Sequence, residues 1–421
     1  MMLPSGMKRR LLEEIRESGG VFSFDPRIWR EEARRAFSRL KLDGEVQALT
    51  PPGFRSGSVL ELASRPSPFR RVFGLDGGST RPVHFANGLT LCANQAVMVS
   101  EPPMKLRGLP LEAFRTMAIV SHSFAPAGGP ISDYLEEGPL GRWRIHITRD
   151  YLRGEVDHVL KGLADSASEA RQALRLVEPL ELSRDDLLLL DGNIFPIGLY
   201  YLVTTGGLRR EVDLISFPGA LQVLAQHLRL AEALAASGTA CAGINKTPQT
   251  AYLLGSLPEE GPWAWADDRQ FIRAIFQGLP KDELGWTSWF LQVRYRPYPR
   301  ARSDRSPAEG SDIFRELEWL ELSLPPEDYY PAYFFVFDPR AAGGEGTVLK
   351  VEVPQFVFKH HDPEVLQGAI LGELARGNGV PHVIRRADSQ ARITQAEREA
   401  LIRGSGLPLD LGYNQGRRES W

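Results

Sequence analysis

The chain has 421 residues, of which 43% are hydrophobic, and its 50 Lys and Arg against 53 Asp and Glu leave a formal net charge of −3. This length and apolar content supply a full hydrophobic core for one large domain or two ordinary ones. The small net charge excludes a globally basic nucleic-acid-binding protein, so any DNA-binding surface has to be a local patch. Two cysteines, Cys92 and Cys241, exclude a disulfide framework and a four-ligand zinc site.

The N-terminus alternates basic and acidic residues and never builds the apolar stretch of a signal peptide. No segment approaches the length of apolar sequence that a membrane span needs. The sequence therefore predicts a cytoplasmic protein that is soluble and has no membrane partner.

The first half of the chain predicts helix, then strands, then alternating helices and strands. Residues 7–45 have the apolar spacing of helices, and residues 70–124 contain three strand-like runs separated by turn residues, which indicates an antiparallel meander. An apolar stripe of helical spacing then covers residues 152–177. It is followed by a short apolar strand at 187–191, a helix at about 218–237 and a strand that ends at Lys246. The predicted order is β-β-β-α-β-α-β.

The second half begins with a region of poor periodicity, residues 251–345, which we interpret as an insertion with a mobile loop. Beyond it, Asp362 and Pro363 occupy the N-cap and first-turn positions of a helix. Thr394 and Glu397 form a capping box for the last one. The predicted organisation is an N-terminal helical segment (1–65), a core (66–250 and 346–400), the insertion (251–345) and a C-terminal tail (401–421).

Two Asp-Gly pairs follow apolar runs. Asp76 lies in VFGLDGGST, residues 72–80, and Asp191 ends DDLLLLDGN, residues 185–193. Each pattern predicts a strand that delivers a carboxylate into a tight turn, where it could hold a divalent metal, or where the glycines could let a phosphate approach the backbone.

Three antiparallel strands, a helix and a fourth strand, with Asp at the ends of the first and fourth, form the ground plan of a ribonuclease H-like core. The predicted fold is accordingly α/β, with a mixed five-stranded sheet flanked by helices. The first and fourth strands lie side by side in that plan, so their carboxylates converge, and the intervening helix can add a Glu. Two Mg²⁺ or Mn²⁺ ions about 4 Å apart suit such an all-oxygen site and would serve phosphodiester hydrolysis.

The motifs GLDGGS, LLLLDGN, GINKT and GVPHVIRRADSQARI resemble, in the same order, those of the NurA nucleases. The resemblance spans residues 70–395 apart from the insertion. It implies a ribonuclease H-like fold and a homodimer with Mn²⁺-dependent 5′ to 3′ exonuclease and single-strand endonuclease activity. It also implies partnership with the hexameric DNA translocase HerA in the resection of DNA ends.

Under this resemblance, Asp76 and Asp191 match the two strand-end metal ligands, and Lys246 matches a Lys that could neutralise the scissile phosphate. Asp388 falls where many family members carry His and could still bind metal. Val380, in the same motif, lies where an aromatic residue is common in the NurA family.

The predicted helix offers two glutamates as a metal ligand. Glu169 is preferred because it lies about two turns before the helix end at Pro179. Glu178 is the rival, since its setting, ALRLVE, also resembles the family.

Further polar residues have weaker patterns. Arg294, Tyr295 and Arg296 belong to RYRPYPR, a basic and aromatic composition that stacks bases and contacts phosphates but also suits a solvated loop. His360 and His361 are interpreted as helix-entry and surface residues rather than metal ligands.

Two other functions stay open at this point. DGGST also resembles the phosphate loop of actin-like kinases and ATPases, although no second meander with an Asp-Gly end and no adenosine motif accompanies it. A catalytically inert nuclease fold that acts as an adaptor for a DNA motor is the other alternative.

Overall fold

A computed structural model describes residues 5–20, 26–124, 132–147, 153–196, 218–248, 250–258, 265–294, 321–340 and 346–410. The fold is mixed α/β, with a large mixed sheet flanked by helices. Within the described ranges, no helix has the length and apolarity needed to cross a membrane.

The strands of the described residues, in chain order, are β1 Val46–Ala48, β2 Phe54–Ser58, β3 Arg71–Ser79, β4 Val83–His84, β5 Thr90–Glu101, β6 Lys105–Leu106, β7 Leu109–Pro110, β8 Arg115–Phe124, β9 Ser132–Glu137, β10 Leu140–Ile147, β11 Asp186–Asp191, β12 Ala240–Asn245, β13 Glu283–Thr287, β14 Phe290–Gln292, β15 Pro331–Asp338 and β16 Thr347–Pro354.

The α-helices are α1 Ser5–Gly20, α2 Pro26–Phe37, α3 Val59–Ser64, α4 Arg153–Val177, α5 Pro218–Ser237, α6 Tyr252–Gly255, α7 Asp268–Ile275, α8 Pro363–Arg376, α9 His382–Ala391 and α10 Gln395–Ser405. The predicted caps are present: Asp362 accepts hydrogen bonds from two backbone N–H groups of α8, and Thr394 and Glu397 form the capping box of α10.

The meander and the strands after it have the predicted adjacency. β3 pairs antiparallel with β5, and β5 pairs antiparallel with β8. β11 then runs parallel to both β3 and β12. The first and fourth strands of the core are therefore neighbours, as the sequence predicts.

The sheet is larger than the five strands predicted from the sequence, because it contains fourteen strands within the described residues. β12 continues through β16, β15 and β14 to β1, and β2 joins through β13. Helix α2 also packs against α7, with Phe37 and Phe271 in one buried cluster. The described strands of residues 251–345 thus extend the main sheet, and the N-terminal segment contributes two of the strands.

The glycines of β3 allow a helix to lie directly on the strand. A Cβ atom at Gly74 would lie 2.4 Å from the carbonyl carbon of Val383, and one at Gly78 would lie 2.0 Å from the carbonyl oxygen of Ala391. Both neighbours belong to α9. Any side chain at these positions would force α9 away from the sheet.

The turn predicted directly after Asp76 is wrong. β3 continues to Ser79, and Asp76 and Gly77 still pair with Val97 and Ala96 of β5. These glycines accommodate packing, and this use of glycine is indistinguishable from turn chemistry in a single sequence.

The turn predicted after Asp191 is confirmed. β11 is buried from Asp186 to Leu190 and ends at Asp191. Gly192 follows with φ of 108°, a left-handed value that favours glycine, and its N–H donates to the carbonyl of Ile244.

Candidate active site

Two carboxylates meet where β3 and β11 lie side by side. The parallel register pairs Leu75 with Leu190, so Asp76 and Asp191 are the next residues along the two strands. The side chain of Asp76 is buried, whereas that of Asp191 is 20% exposed at the strand end. The carboxyl groups therefore face one another at a partly open edge of the sheet.

Helix α4 brings Glu169 to the same place. The helix packs on β3, β5 and β8 of the sheet. Glu169 lies against the backbone of Gly77, which also donates its N–H to Oδ1 of Asp76 at 2.8 Å.

Of the two rival glutamates, the structure brings only Glu169 to the carboxylates. Glu178 is exposed and lies one residue beyond the end of α4.

Lys246 directly follows β12 and places its ammonium on Asp191. The Nζ atom lies 2.5 Å from Oδ2 of Asp191. With the Lys246 side chain 35% exposed, this ion pair faces solvent at the edge of the site.

Asp388 reaches the cluster from α9. It is exposed on the helix that packs on β3, and its negative charge is one of the causes that raise the pKa of Asp76. The structure thus brings together Asp76, Glu169, Asp191, Lys246 and Asp388, whose roles as ligands and phosphate contact stay predictions.

Burial and mutual repulsion dominate the electrostatics of these carboxylates. Burial, followed by the charge of Asp191, raises the pKa of Asp76 to about 8, against the opposing effects of Lys246 and the Gly77 N–H. Burial and the charge of Asp76 also raise the pKa of Glu169 well above its ordinary value. Asp76 therefore retains its proton at neutral pH unless a cation compensates the negative charge, and the same causes disfavour the ionised form of Glu169.

The donor set suits a divalent cation. It consists of carboxylate oxygens, the ligands that Mn²⁺ and Mg²⁺ prefer, and Oδ2 of Asp76 is buried without a hydrogen-bond partner. A complete cage is not preformed, because no three His, Cys, Asp or Glu side chains of the described residues are arranged to hold a metal. In this arrangement Lys246 occupies one oxygen of Asp191.

The packing of β3 argues against a phosphate loop at residues 76–80. A bound phosphate would need open space beside the two glycines. Instead, Glu169 fills the space at Gly77 and the backbone of Ala391 fills that at Gly78. The actin-like interpretation therefore loses the motif on which it rested.

The remaining predicted residues lie away from these carboxylates or outside the described residues. Arg294 is exposed and follows β14, which lies five strands from β3, or roughly 24 Å at ordinary strand spacing. Tyr295 and Arg296 lie outside the described residues. His361 follows a short 3₁₀ helix, and its Nε2 lies 2.9 Å from the carbonyl of Gly238.

Sequence reasoning missed a polar network beside Glu169. Asn94 of β5 donates to Oδ1 of Asp165, and Lys161 donates to Oδ2 of the same carboxylate at 2.6 Å. Ser168 donates to the side-chain oxygen of Asn94. The four-residue spacing of Lys161, Asp165 and Glu169 was a visible signal, since it places them on one face of a helix.

The chain belongs to the NurA family. The family described as the NurA domain matches residues 70–393, which include all five residues of the site. No curated protein sequence gives a significant match.

Similar solved structures include NurA proteins and an endonuclease V. The NurA nuclease from Sulfolobus solfataricus is 13% identical, with 96% of this chain and 97% of that chain covered and a TM-score of 0.49. A NurA bound to dAMP and manganese is 10% identical, with 94% and 95% covered and a TM-score of 0.38. Endonuclease V from Streptomyces avermitilis is 12% identical, with 90% and 93% covered and a TM-score of 0.24. These TM-scores are all below 0.5, so the likeness alone establishes neither fold nor activity.

Proposed function

We propose that this protein is a metal-dependent DNA nuclease whose active site is built on Asp76 and Asp191. The observation that carries the proposal is the juxtaposition of these two carboxylates on adjacent parallel strands, with Glu169 and Asp388 electrostatically coupled to Asp76. Such clustering of like charges is unfavourable unless a cation compensates it, and perturbed carboxyl groups of this kind concentrate at functional sites.

The cofactor in this proposal is Mn²⁺ or Mg²⁺, with two ions held by Asp76, Glu169, Asp191 and Asp388. Bound divalent ions would supply an activated water and stabilise the leaving oxygen of a phosphodiester. The chain itself orients the substrate: the ammonium of Lys246 lies at the edge of the site, where it can contact a phosphate of the bound strand. Asp191 would exchange its contact with Lys246 for contact with a cation.

Membership of the NurA family supports a more specific version of the proposal. In this version the protein is a homodimer, cuts with 5′ to 3′ exonuclease and single-strand endonuclease activity, and resects DNA ends in the cytoplasm with a HerA-type hexameric translocase. The strand order β8-β5-β3-β11-β12 supports a ribonuclease H-like core.

The direct test is cleavage of end-labelled single-stranded and duplex DNA with Mn²⁺, Mg²⁺ or chelator, with and without the translocase. Asp76→Asn and Asp191→Asn should abolish metal-dependent cutting. Asp185→Asn is the matched control, because Asp185 is an exposed Asp just before the opposite end of β11. Full activity of Asp76→Asn would disprove the proposal, whereas Mn²⁺ binding without cleavage under any condition would favour an inert adaptor.

A further inference from the structure

Asn94 ties helix α4 to the sheet immediately before Glu169. Its side chain is fully buried on β5, two residues before Ala96, the residue that pairs with Gly77. Its amide nitrogen donates to Asp165 and its amide oxygen accepts from Ser168. One side chain of the sheet therefore fixes two points on the helical turn that leads into Glu169.

Both oxygens of Asp165 accept hydrogen bonds within this network. Oδ1 accepts from Asn94, and Oδ2 accepts from Lys161. The Lys161 side chain lies four residues before Asp165 on the same helix face and carries the compensating charge. The network thus supplies hydrogen-bond donors for both oxygens of Asp165 and a positive charge that balances its negative one.

From these contacts we infer that Asn94, Asp165 and Ser168 are positioning residues. They fix where α4 lies along the sheet, and so where the Glu169 carboxylate lies beside Gly77. The effect of this positioning on catalysis rests on the proposed nuclease function. Glu169 meets the backbone of β3 at a close contact, so a small shift of α4 along the sheet changes where its carboxylate lies. Displacing a catalytic group by about 1 Å costs on the order of a hundredfold in rate.

The test compares three variants of the full-length protein with a matched control. Asn94→Leu keeps the side-chain size but removes both hydrogen bonds, and Ser168→Ala removes one of them with a residue that favours helix. Asp165→Asn retains an oxygen that can accept from Asn94. The control is Thr287→Val, which removes a fully buried hydroxyl that accepts from the Phe335 N–H in another part of the sheet.

Cleavage and Mn²⁺ affinity, the latter by calorimetry, are the first two measurements. Asn94→Leu should lower kcat at least about tenfold and raise the Mn²⁺ dissociation constant, with Ser168→Ala changing both less in the same direction. Asp165→Asn should keep kcat and the Mn²⁺ dissociation constant within about threefold of the wild-type values. Thr287→Val should do the same, although it should lose about as much stability as Asn94→Leu. Wild-type kinetics in Asn94→Leu would overturn the inference, and so would an Asp165→Asn variant as inactive as Asp76→Asn.

Hydrogen exchange of the Gly77 amide separates this inference from the proposed function. If wild-type protein neither binds Mn²⁺ nor cuts DNA, the proposed function fails. The Gly77 amide still reports where Glu169 lies, because it hydrogen-bonds the Glu169 carboxylate as well as Asp76. We expect exchange at Gly77 to accelerate about tenfold in Asn94→Leu, with no change at Leu188 in the neighbouring strand. Unchanged protection of Gly77 would overturn the positioning role.

Discussion

Gly77 and Glu169 are in direct contact: a Cβ atom on Gly77 would lie 2.7 Å from Oε1 of Glu169 and 3.3 Å from its Cγ. Glycine at this position therefore determines where the glutamate can lie. The neighbouring Asp76 also depends on Gly77, because the Gly77 N–H donates to its Oδ1.

Replacing Gly77 with Ala should reduce activity far more than stability. The new methyl group would meet the flexible end of Glu169, which can move away at small energetic cost but leaves its place beside Asp76. We expect cleavage to fall at least about tenfold, because misplacement of a catalytic group by about 1 Å is that costly or more. The free energy of unfolding, measured in urea, should change by less than about 1 kcal/mol.

Two other glycines serve as controls for this change. Gly162 of α4 has open space around its Cα, so Gly162→Ala should retain activity and gain about 0.5–1 kcal/mol of stability. Gly78→Ala would meet the backbone of Ala391, which cannot yield without moving α9, and should cost about 1–3 kcal/mol or more. A Gly77→Ala protein with wild-type cleavage would show that the position of Glu169 is unimportant.

Replacing Asp76 with Asn should stabilise the metal-free protein while it abolishes cleavage. The folded pKa of about 8 lies above the ordinary value of 3.8, so the stabilising contribution of the protonated carboxyl is complete below pH 4 and is lost as the pH rises through 8. Asn cannot ionise, so the variant does not lose this stability as the pH rises. We expect a gain of about 1–3 kcal/mol at pH 9 and little at pH 4, measured by urea unfolding in chelator.

Added Mn²⁺ should make the wild type more stable than Asp76→Asn, the reverse of the order expected in chelator. Cation binding favours the folded wild type by mass action, whereas the Asn variant has lost a charged ligand. If Asp76→Asn were less stable than the wild type in chelator at pH 9, the view of Asp76 as a buried charge in need of a cation would be incorrect.

The parts of the site that are local in sequence could be predicted. Asp191 ends a buried strand at a glycine with positive φ, and both features are visible in LLLLDGN. The choice of Glu169 required only the position of the residue on its helix. Asp388 and Lys246 depended on the resemblance to a family, because a single charged residue at a helix or strand end has no pattern of its own.

Long-range pairing could not be predicted in the same way. The strands β13, β14 and β15 come from a region whose periodicity is poor, and β1 and β2 are too short to alternate recognisably. Their identity as strands follows from partners up to 246 positions away in sequence, as in the pairing of Val46 with Gln292. Gly74 and Gly78 of β3 are likewise explained by α9, a helix more than 300 residues later.

Removing the ammonium of Lys246 should separate metal binding from catalysis. In the metal-free arrangement this group holds Oδ2 of Asp191 at 2.5 Å and so competes with an incoming cation. Lys246→Met should therefore tighten Mn²⁺ binding by about threefold or more in calorimetry, since the attraction between opposite charges at this distance is substantial. Its kcat should nevertheless fall, because the phosphate loses a positively charged contact. Weaker Mn²⁺ binding in this variant would mean that Lys246 orients Asp191 for the metal.

His227 should make the folded protein sensitive to mild acid. Its side chain is buried between α5 and α4, with Nε2 3.0 Å from the carbonyl of Ser166. Burial lowers its pKa to about 4, although the Ser166 carbonyl opposes this effect. The unfolded chain, with an ordinary histidine value near 6.5, therefore binds the proton more readily than the folded protein between pH 6.5 and 4.

Stability should consequently decrease as the pH falls through this range. A difference of about 2.5 pKa units corresponds to roughly 3 kcal/mol of lost unfolding free energy by pH 4. His227→Gln keeps a side-chain N–H that can reach Ser166 but cannot titrate, so its stability should fall less over the same interval. Urea unfolding of both proteins at several pH values between 4 and 7 isolates the contribution of His227, because the other titrating groups are common to both. Parallel pH profiles for the two proteins would show that His227 titrates normally in the folded state.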